Sequence, residues 1–293
     1  MYKDEFLHYL ASERNYSPAT VTTYETALNG FEAFVEGQGR NLDWCDIQEG
    51  DIREWMVAQI NRGSASSVVN LRLSALRSFY RYLLQFNLAK HDPTAKITGP
   101  KKKKALPYYI KEKELDRLFD EVQFPDDFNG KQERLILLTF YSTGIRLAEL
   151  VSLDVADVNL ESSMLKVTGK RSKQRIVPFG KELQEEMKEF IALRSAVATN
   201  DVSSLFITKS AKRITRMMVY KIVEKYLSLV TSQKKRSPHA LRHSFATAML
   251  NHGAEIEVVK ELLGHVDIST TEIYTHTTFE ELKKNYINAH PRA

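Results

Sequence analysis

Tyr274 lies between two histidines in the segment LLGHVDISTTEIYTH, near the C-terminal end of the chain. Three kinds of chemistry fit this pattern: a metal site, a tyrosine packed in the core, or a phenol that reacts. The preceding apolar pattern ends at Gly264 as a helix should, so His265 is expected just past a helix end. Ser269 and Glu272 have the spacing of a capping box, which places Tyr274 early in a short final helix. These local features leave the three possibilities open.

A second set of reactive side chains occupies the segment SPHALRHSFATAMLNHG. His239, Arg242 and His243 are three and four residues apart, so a helix presents them on one face. The helix is expected to begin at Ser237, and its N-terminus favours anions, which suits a phosphate. A solvated polar face is the alternative. The two histidines also have zinc-ligand spacing, but the glutamate of H-E-x-x-H is missing and Arg242 would repel a dication, which argues against zinc.

Two further cations lie at expected turns. Arg146 follows Gly144 where one helix ends and another begins, and Lys170 follows Gly169 at the tip of a predicted hairpin. Taken alone, each of these two residues would be interpreted as an ordinary charged residue on the surface. The combined set has two arginines, a lysine, histidines and one phenol without clustered acids, so it does not suit magnesium, which prefers carboxylates. It suits attack by a hydroxyl on a phosphodiester with no metal or other cofactor.

The composition excludes several classes of protein. The chain has 293 residues, 43% of them hydrophobic and 27% charged, which are ordinary globular values that allow one large domain or two ordinary ones. We find no signal-peptide pattern and no apolar run long enough to span a bilayer. The single cysteine, Cys45, rules out an internal disulfide and suits a reducing cytoplasm.

Hydrophobic periodicity predicts a helical first region. Two apolar stripes with helical spacing fit a small bundle; they are Val21, Tyr24, Leu28, Phe31 and Val35, and then Val69, Leu73, Leu76, Tyr80 and Leu83. The segment PTAKITGPKKKK, residues 93–104, contains five lysines and no acid, and we interpret it as a basic linker. The predicted domains are therefore 1–92 and 105–293. Alternating apolar residues in SSMLKVTGKRSKQRIVPFG predict a β-hairpin.

Four motifs together resemble one family. TGIRLAEL, TGKRSKQRIVPFG, HALRHSFATAML and LLGHVDISTTEIYTH are similar, in this order, to the signatures of the tyrosine recombinases of the phage integrase family. The helical N-terminal region resembles the core-binding domain of that family, and the compact length is most similar to Xer-type recombinases. The resemblance implies a mainly α fold: a helical SAM-like core-binding domain, then a mostly α catalytic domain with a small antiparallel sheet.

The resemblance also implies roles for particular residues. The pocket would consist of Arg146, Lys170, His239, Arg242 and His265, with Tyr274 as the nucleophile. Family members often read G-K-G at the hairpin, whereas Arg171 follows Lys170 here; Lys173 is the nearest rival for the lysine role. The implied reaction cleaves and rejoins duplex DNA through a 3′-phosphotyrosyl intermediate and a Holliday junction, in a homo- or hetero-tetramer on two sites.

The biological role implied by the resemblance is chromosome dimer resolution at the nucleoid, with a partner recombinase and a DNA translocase as possible partners and no membrane. An integrase or invertase of a mobile element has the same chemistry. A non-catalytic site-specific DNA-binding protein, a type IB topoisomerase and a zinc hydrolase are further alternatives. The tail FEELKKNYINAHPRA is expected to dock on a neighbouring protomer, or else on its own domain.

Basic residues outside the pocket are candidates for contacts with DNA phosphates. In the N-terminal bundle, Ser74, Arg77 and Arg81 form one polar stripe. The remaining candidates are Lys101, Lys102, Lys103 and Lys104 in the linker and Arg213 and Arg216 in the segment KSAKRITRMMVY. A solvated tether and ordinary surface charge are the alternatives at these positions.

Overall fold

The computed structural model describes residues 2–101, 108–169, 173–198, 202–264 and 276–293, except for the side chains of 276–279. The chain forms two compact units, residues 1–105 and 106–293. Within the described ranges, no helix combines the length and apolar character needed to cross a membrane.

The first unit is helical, as the apolar stripes predicted. Its described helices are α1 (Tyr2–Ser12), α2 (Pro18–Glu36), α3 (Glu49–Asn61) and α4 (Ser66–Gln85). Helix α2 begins at its predicted signal, because the Ser17 side chain accepts a hydrogen bond from the Thr20 amide and Pro18 occupies the first helical turn. Both predicted stripes face the core, where Phe31 of α2 packs edge-on against Trp55 of α3 at a centroid distance of 5.2 Å.

The first part of the predicted linker packs on this unit. Ile97 is 2% exposed within its core, and Arg77 donates a hydrogen bond to the Ile97 carbonyl. The side-chain Nδ2 of Asn70 donates a hydrogen bond to the Pro100 carbonyl at 2.8 Å. Prolines and a glycine mark where a helix cannot continue, but they do not prevent packing. The first unit therefore extends past the predicted boundary at residue 92, whereas Lys102 to Lys104 lie outside the described residues.

The second unit is mostly helical around a small sheet, which confirms the predicted class. Its described helices are α5 (Glu112–Asp120), α6 (Phe128–Thr143), α7 (Leu147–Ser152), α8 (Lys181–Val197), α9 (Arg216–Val230), α10 (Pro238–Asn251), α11 (Ile256–Leu263) and α12 (His276–Ala289). The strands are β1 (Val158–Asn159), β2 (Met164–Thr168) and β3 (Gln174–Pro178), antiparallel in the order β1-β2-β3. Strands β2 and β3 form the predicted hairpin, with Leu165 opposite Val177.

Helix α6 is the centre of the second core, and its end sets the position of the next turn. Leu135 to Thr143 are all buried. The helix stops at Gly144, whose φ of 60° is left-handed, and a Cβ there would lie 2.4 Å from the Phe245 ring of α10. Only glycine lets the chain turn this close to α10, so the turn brings Arg146 against the helix that carries His239 and Arg242.

The described part of the C-terminal tail packs on its own unit, which is one of the two alternatives left by the sequence. Tyr286 and His290 are buried, and the two rings stack with centroids 5.1 Å apart. Arg292 donates to both carboxylate oxygens of Asp120 at 2.7 Å and to Glu182 at 3.0 Å. Aromatic packing and ion pairs thus both hold the chain end in place.

Docking of this tail is expected to weaken in acid. Burial lowers the pKa of His290 from 6.5 to about 4, although its hydrogen bond to the Tyr141 carbonyl acts in the opposite sense. Between these two pH values the unfolded chain therefore binds a proton that the folded chain does not. The contribution of His290 to the free energy of unfolding is fully present above pH 6.5 and decreases towards pH 4, by about 3 kcal/mol in all.

Denaturant unfolding of His290→Gln should show a shallower loss of stability across this interval, because glutamine does not titrate. His8 of α1, an exposed histidine that does not act on His290, is changed to glutamine in the same way as the control and should keep the wild-type slope. Equal slopes for His290→Gln and the wild type would refute this explanation.

Candidate active site

Arg146 is held at the start of α7 by a glutamate one turn further on. Its backbone amide donates to Glu149 Oε2 at 2.7 Å, and its Nη1 donates to Glu149 Oε1 at 2.8 Å. A third bond runs from Nη2 to the Gly264 carbonyl at 3.2 Å. The side chain is still 36% exposed, so one edge of an anchored guanidinium faces solvent.

Arg242 is buried in the first turns of α10 and is 5% exposed. Its Nη1 donates to the Gly144 carbonyl at 2.6 Å and its Nη2 to the Leu263 carbonyl at 2.7 Å. Burial, followed by the nearby charge of Arg146, lowers the pKa of this guanidinium to about 10. Arg242 consequently remains a cation at neutral pH.

Three consecutive carbonyl groups at the C-terminal end of α11 each accept a hydrogen bond from an arginine of a different element. The pairs are Arg175 Nε to Leu262 at 2.9 Å, Arg242 Nη2 to Leu263 at 2.7 Å, and Arg146 Nη2 to Gly264 at 3.2 Å. Carbonyl groups at a helix C-terminus lack partners within the helix and carry partial negative charge. They therefore attract guanidinium groups, and the end of α11 gathers three of them from β3, α10 and the α6–α7 turn.

Glu149 and Arg175 complete this arrangement, although neither was predicted from the sequence as a site residue. Glu149 is 3% exposed and accepts a bidentate pair from Arg175 at 2.9 and 3.0 Å. Burial alone would raise the pKa of this carboxyl, but Arg175 and then Arg146 outweigh burial and hold the pKa at about 2. The capping-box spacing from Arg146 was the available sequence signal for Glu149. No local signal marks Arg175.

His239 and His243 lie on one face of α10, as their spacing predicted, and they form a hydrogen-bonded pair. His239 is exposed, and the two Nε2 atoms are 3.1 Å apart, so one ring donates the proton and the other accepts it. Burial, with the charges of His239 and Arg242, lowers the pKa of His243. Within the described residues, no group of three histidine, cysteine or carboxylate side chains could hold a metal ion.

Lys170, His265 and Tyr274 lie outside the described residues, as does Arg171. The positions that border them are described. The Gly169 amide donates to the Lys173 carbonyl at 2.7 Å, and α11 ends at Gly264 with a left-handed φ of 64°. Of the six predicted pocket residues, the structure places Arg146 and Arg242 at the end of α11 and His239 three residues before Arg242 on α10.

The candidate DNA contacts fall into two groups. Arg81, Lys101 and Arg216 are exposed, and Arg77 is exposed although one of its nitrogens bonds to the Ile97 carbonyl. Arg213, by contrast, forms hydrogen bonds to other residues of its own unit. Its guanidinium donates to the carbonyls of Val151 and Leu153 at 2.9 and 3.2 Å and to Asp154 at 2.6 Å. These bonds hold one side of the guanidinium against its own unit, but the side chain is still 37% exposed, so the assignment of Arg213 to DNA stays a prediction.

The chain is a mainly α protein of two units, in which two anchored arginines meet at the end of α11 and a histidine pair lies on α10. The family described as "Phage integrase family" matches residues 108–281, and "Phage integrase, N-terminal SAM-like domain" matches residues 4–86. The chain therefore belongs to the phage integrase family, the tyrosine recombinases.

Individual relatives match the chain along its length. Tyrosine recombinase XerC of Pelotomaculum thermopropionicum is 37% identical over 99% of this chain and 98% of its own. Tyrosine recombinase XerD of Oceanobacillus iheyensis is 33% identical over 99% and 98%. The crystal structure of XerH site-specific recombinase bound to palindromic difH substrate covers 96% of this chain and 83% of its own, with a TM-score of 0.73 and 22% identity, and it supports the fold.

Proposed function

We propose that the protein is a site-specific DNA recombinase whose Tyr274 attacks a scissile phosphate in duplex DNA. The bond from the tyrosine oxygen to phosphorus forms as the bond from phosphorus to the 5′-oxygen breaks, which leaves a 3′-phosphotyrosyl link and a 5′-hydroxyl. The observation that carries the proposal is the anchoring of Arg146 and Arg242 at one helix end beside the α10 histidine pair, in a chain of this family.

The two arginines are suited to stabilise the negative charge that grows on the non-bridging oxygens. Their bonds to Glu149 and to helix-end carbonyls fix the planes of the guanidinium groups before DNA binds. Preorganised donors of this kind need little rearrangement during the reaction. A guanidinium also matches two phosphate oxygens at once.

Proton transfers complete the step. A phenol has an ordinary pKa of about 10, so Tyr274 must lose its proton as it attacks. His239 is exposed and already shares a proton with His243, so we assign it as the general base or proton relay. By the family resemblance, Lys170 would protonate the departing 5′-oxygen, with Lys173 as the nearest rival, and His265 would donate a hydrogen bond to the phosphate.

The covalent link conserves the energy of the phosphodiester, so a 5′-hydroxyl from a second duplex can reverse the step without ATP or metal. Exchange of strands in pairs then proceeds through a Holliday junction in a homo- or hetero-tetramer on two sites. We assign the protein to chromosome dimer resolution at the nucleoid in the cytoplasm, a role supported by the XerC and XerD names of the relatives. A partner recombinase and a DNA translocase would belong to that role.

A covalent trapping experiment tests this function. A target site is first obtained by selecting tightly bound fragments from genomic DNA of the encoding organism. The selected site is then made with a nick beside the cleavage position, so that the short 5′-hydroxyl fragment diffuses away. We expect an SDS-resistant protein–DNA adduct to form in EDTA without ATP.

Other outcomes identify the competing functions. Tight binding without an adduct would indicate a non-catalytic DNA-binding protein. Relaxation of a supercoiled plasmid that lacks the selected site would indicate a topoisomerase. A mobile-element role would be indicated if the selected fragments came from element ends.

We expect the affinity for DNA to fall as the salt concentration rises. The slope of log affinity against log salt measures how many phosphates the protein contacts. Each neutralised phosphate contributes about 0.9 to the slope of log affinity against log salt. Arg81→Ala should therefore reduce the slope by about 0.9 in gel-shift titrations on the selected site, since Arg81 is exposed on α4. Arg53, whose Nε bonds to Glu49 at 2.8 Å, is the control, and Arg53→Ala should keep the slope. An unchanged slope for Arg81→Ala would remove this contact from the account.

A further inference from the structure

Arg175 connects three elements of the second unit through a single guanidinium. It is the second residue of β3, opposite Val167, and its side chain is 14% exposed. Two nitrogens hold both carboxylate oxygens of Glu149, and Nε donates to the Leu262 carbonyl at the end of α11. The guanidinium is a rigid planar fork, so these three bonds fix the spacing between β3, the start of α7 and the end of α11.

The groups that Arg175 holds are the same groups that hold the two phosphate-binding arginines. Glu149 is the carboxylate partner of Arg146. The end of α11 provides the carbonyls of Leu263 and Gly264, to which Arg242 and Arg146 donate. Arg175 therefore bonds directly to Glu149, which anchors Arg146. It also bonds to the Leu262 carbonyl, which is next in the chain to the carbonyls that anchor Arg242 and Arg146.

Gly264, at the end of α11, packs closely against the side chain of Arg175. A Cβ at this glycine would lie 3.3 Å from Cδ, Nε and Nη1 of Arg175, and the φ of 64° is itself unfavourable for other residues. The last turn of α11 thus lies directly against the guanidinium.

We infer that Arg175 is a positioning residue for strand cleavage, which rests on the function proposed above. It does not contact the DNA phosphate in this assignment. It balances the buried charge of Glu149 and fixes the end of α11, and these two groups set the orientation of Arg146 and Arg242. Without Arg175, the Glu149 carboxylate retains Arg146 as its principal cation and draws that guanidinium away from the phosphate.

The test is single-turnover cleavage of the nicked substrate by Arg175→Lys. Lysine keeps the charge but cannot make the paired bonds to Glu149 together with the bond to Leu262. A displacement of about 1 Å in a catalytic group can cost on the order of 100-fold. We expect the cleavage rate to fall about 10- to 100-fold with DNA affinity within about twofold of wild type.

A matched control separates positioning from a merely structural role. Arg194 is also a buried arginine of this unit, and its Nε donates to the Ser204 carbonyl at 2.7 Å. Arg194→Lys should lower the melting temperature yet leave the cleavage rate near wild type. Where Arg175→Ala folds, added guanidinium chloride at millimolar concentration should restore cleavage relative to the same concentration of NaCl, without restoring the melting temperature.

The outcomes distinguish this inference from the function on which it depends. If the wild type forms the adduct and Arg175→Lys cleaves within about twofold of its rate, only the positioning role is overturned. The same conclusion follows if the cleavage loss in Arg194→Lys equals that in Arg175→Lys, because the effect would then reflect stability. If the wild type forms no adduct on the selected site, the proposed function fails and the positioning role fails with it.

Discussion

Tyr274→Phe is expected to abolish the SDS-resistant adduct while leaving gel-shift affinity for the selected site unchanged. Phenylalanine keeps the ring and removes only the oxygen that would bond to phosphorus. Loss of a catalytic nucleophile can cost on the order of 10⁶-fold, so cleavage should fall below detection. The measurement is single-turnover cleavage of the nicked substrate, with gel-shift titration on the intact site.

Another tyrosine of the same region supplies the control. Tyr286 of α12 is fully buried, so its hydroxyl cannot reach DNA while the unit is folded. Tyr286→Phe should form the adduct at the wild-type rate. An adduct formed by Tyr274→Phe would mean that another side chain is the nucleophile.

Arg146→Ala is expected to give the second large effect, a loss of about 100- to 1,000-fold in cleavage rate, by analogy with removal of one oxyanion donor. The fold should tolerate the change, since Glu149 keeps its bidentate pair with Arg175 at 2.9 and 3.0 Å. DNA affinity should change much less than the rate, because many phosphate contacts share the binding energy.

The control for this experiment is Arg117 of α5, an exposed arginine 3.5 Å from Glu121. Arg117→Ala removes the same charge from the same unit and should cleave at the wild-type rate. A rate for Arg146→Ala within about threefold of wild type would show that this guanidinium does not stabilise the reacting phosphate.

Much of the fold could be predicted because its signals are local. The spacing of Leu28, Phe31 and Val35 identified a buried helix face, and alternation around Leu165 and Val167 identified the hairpin. The boundary of the first unit was missed because burial of Ile97 depends on contacts with distant residues of α4. Prolines and lysines give no information about such contacts.

The candidate site was predictable to the extent that its residues share an element. His239 and Arg242 lie three residues apart on one helix, and Arg146 follows a helix-ending glycine. The bond between Arg175 and Glu149 joins residues 26 apart in sequence, and the bond to Leu262 spans 87. A bonded arginine and a solvated arginine look the same in sequence, so the internal bonds of Arg213 could not be predicted either.

The central claim is that the Tyr274 oxygen becomes esterified to the 3′ end of the cleaved strand. The most direct test is mass spectrometry of the trapped adduct after nuclease and protease digestion. We expect a single modified peptide that carries a 3′-linked nucleotide on Tyr274, and a released fragment with a 5′-hydroxyl. A nucleotide on any other residue, or a 5′-linked nucleotide on Tyr274, would contradict it.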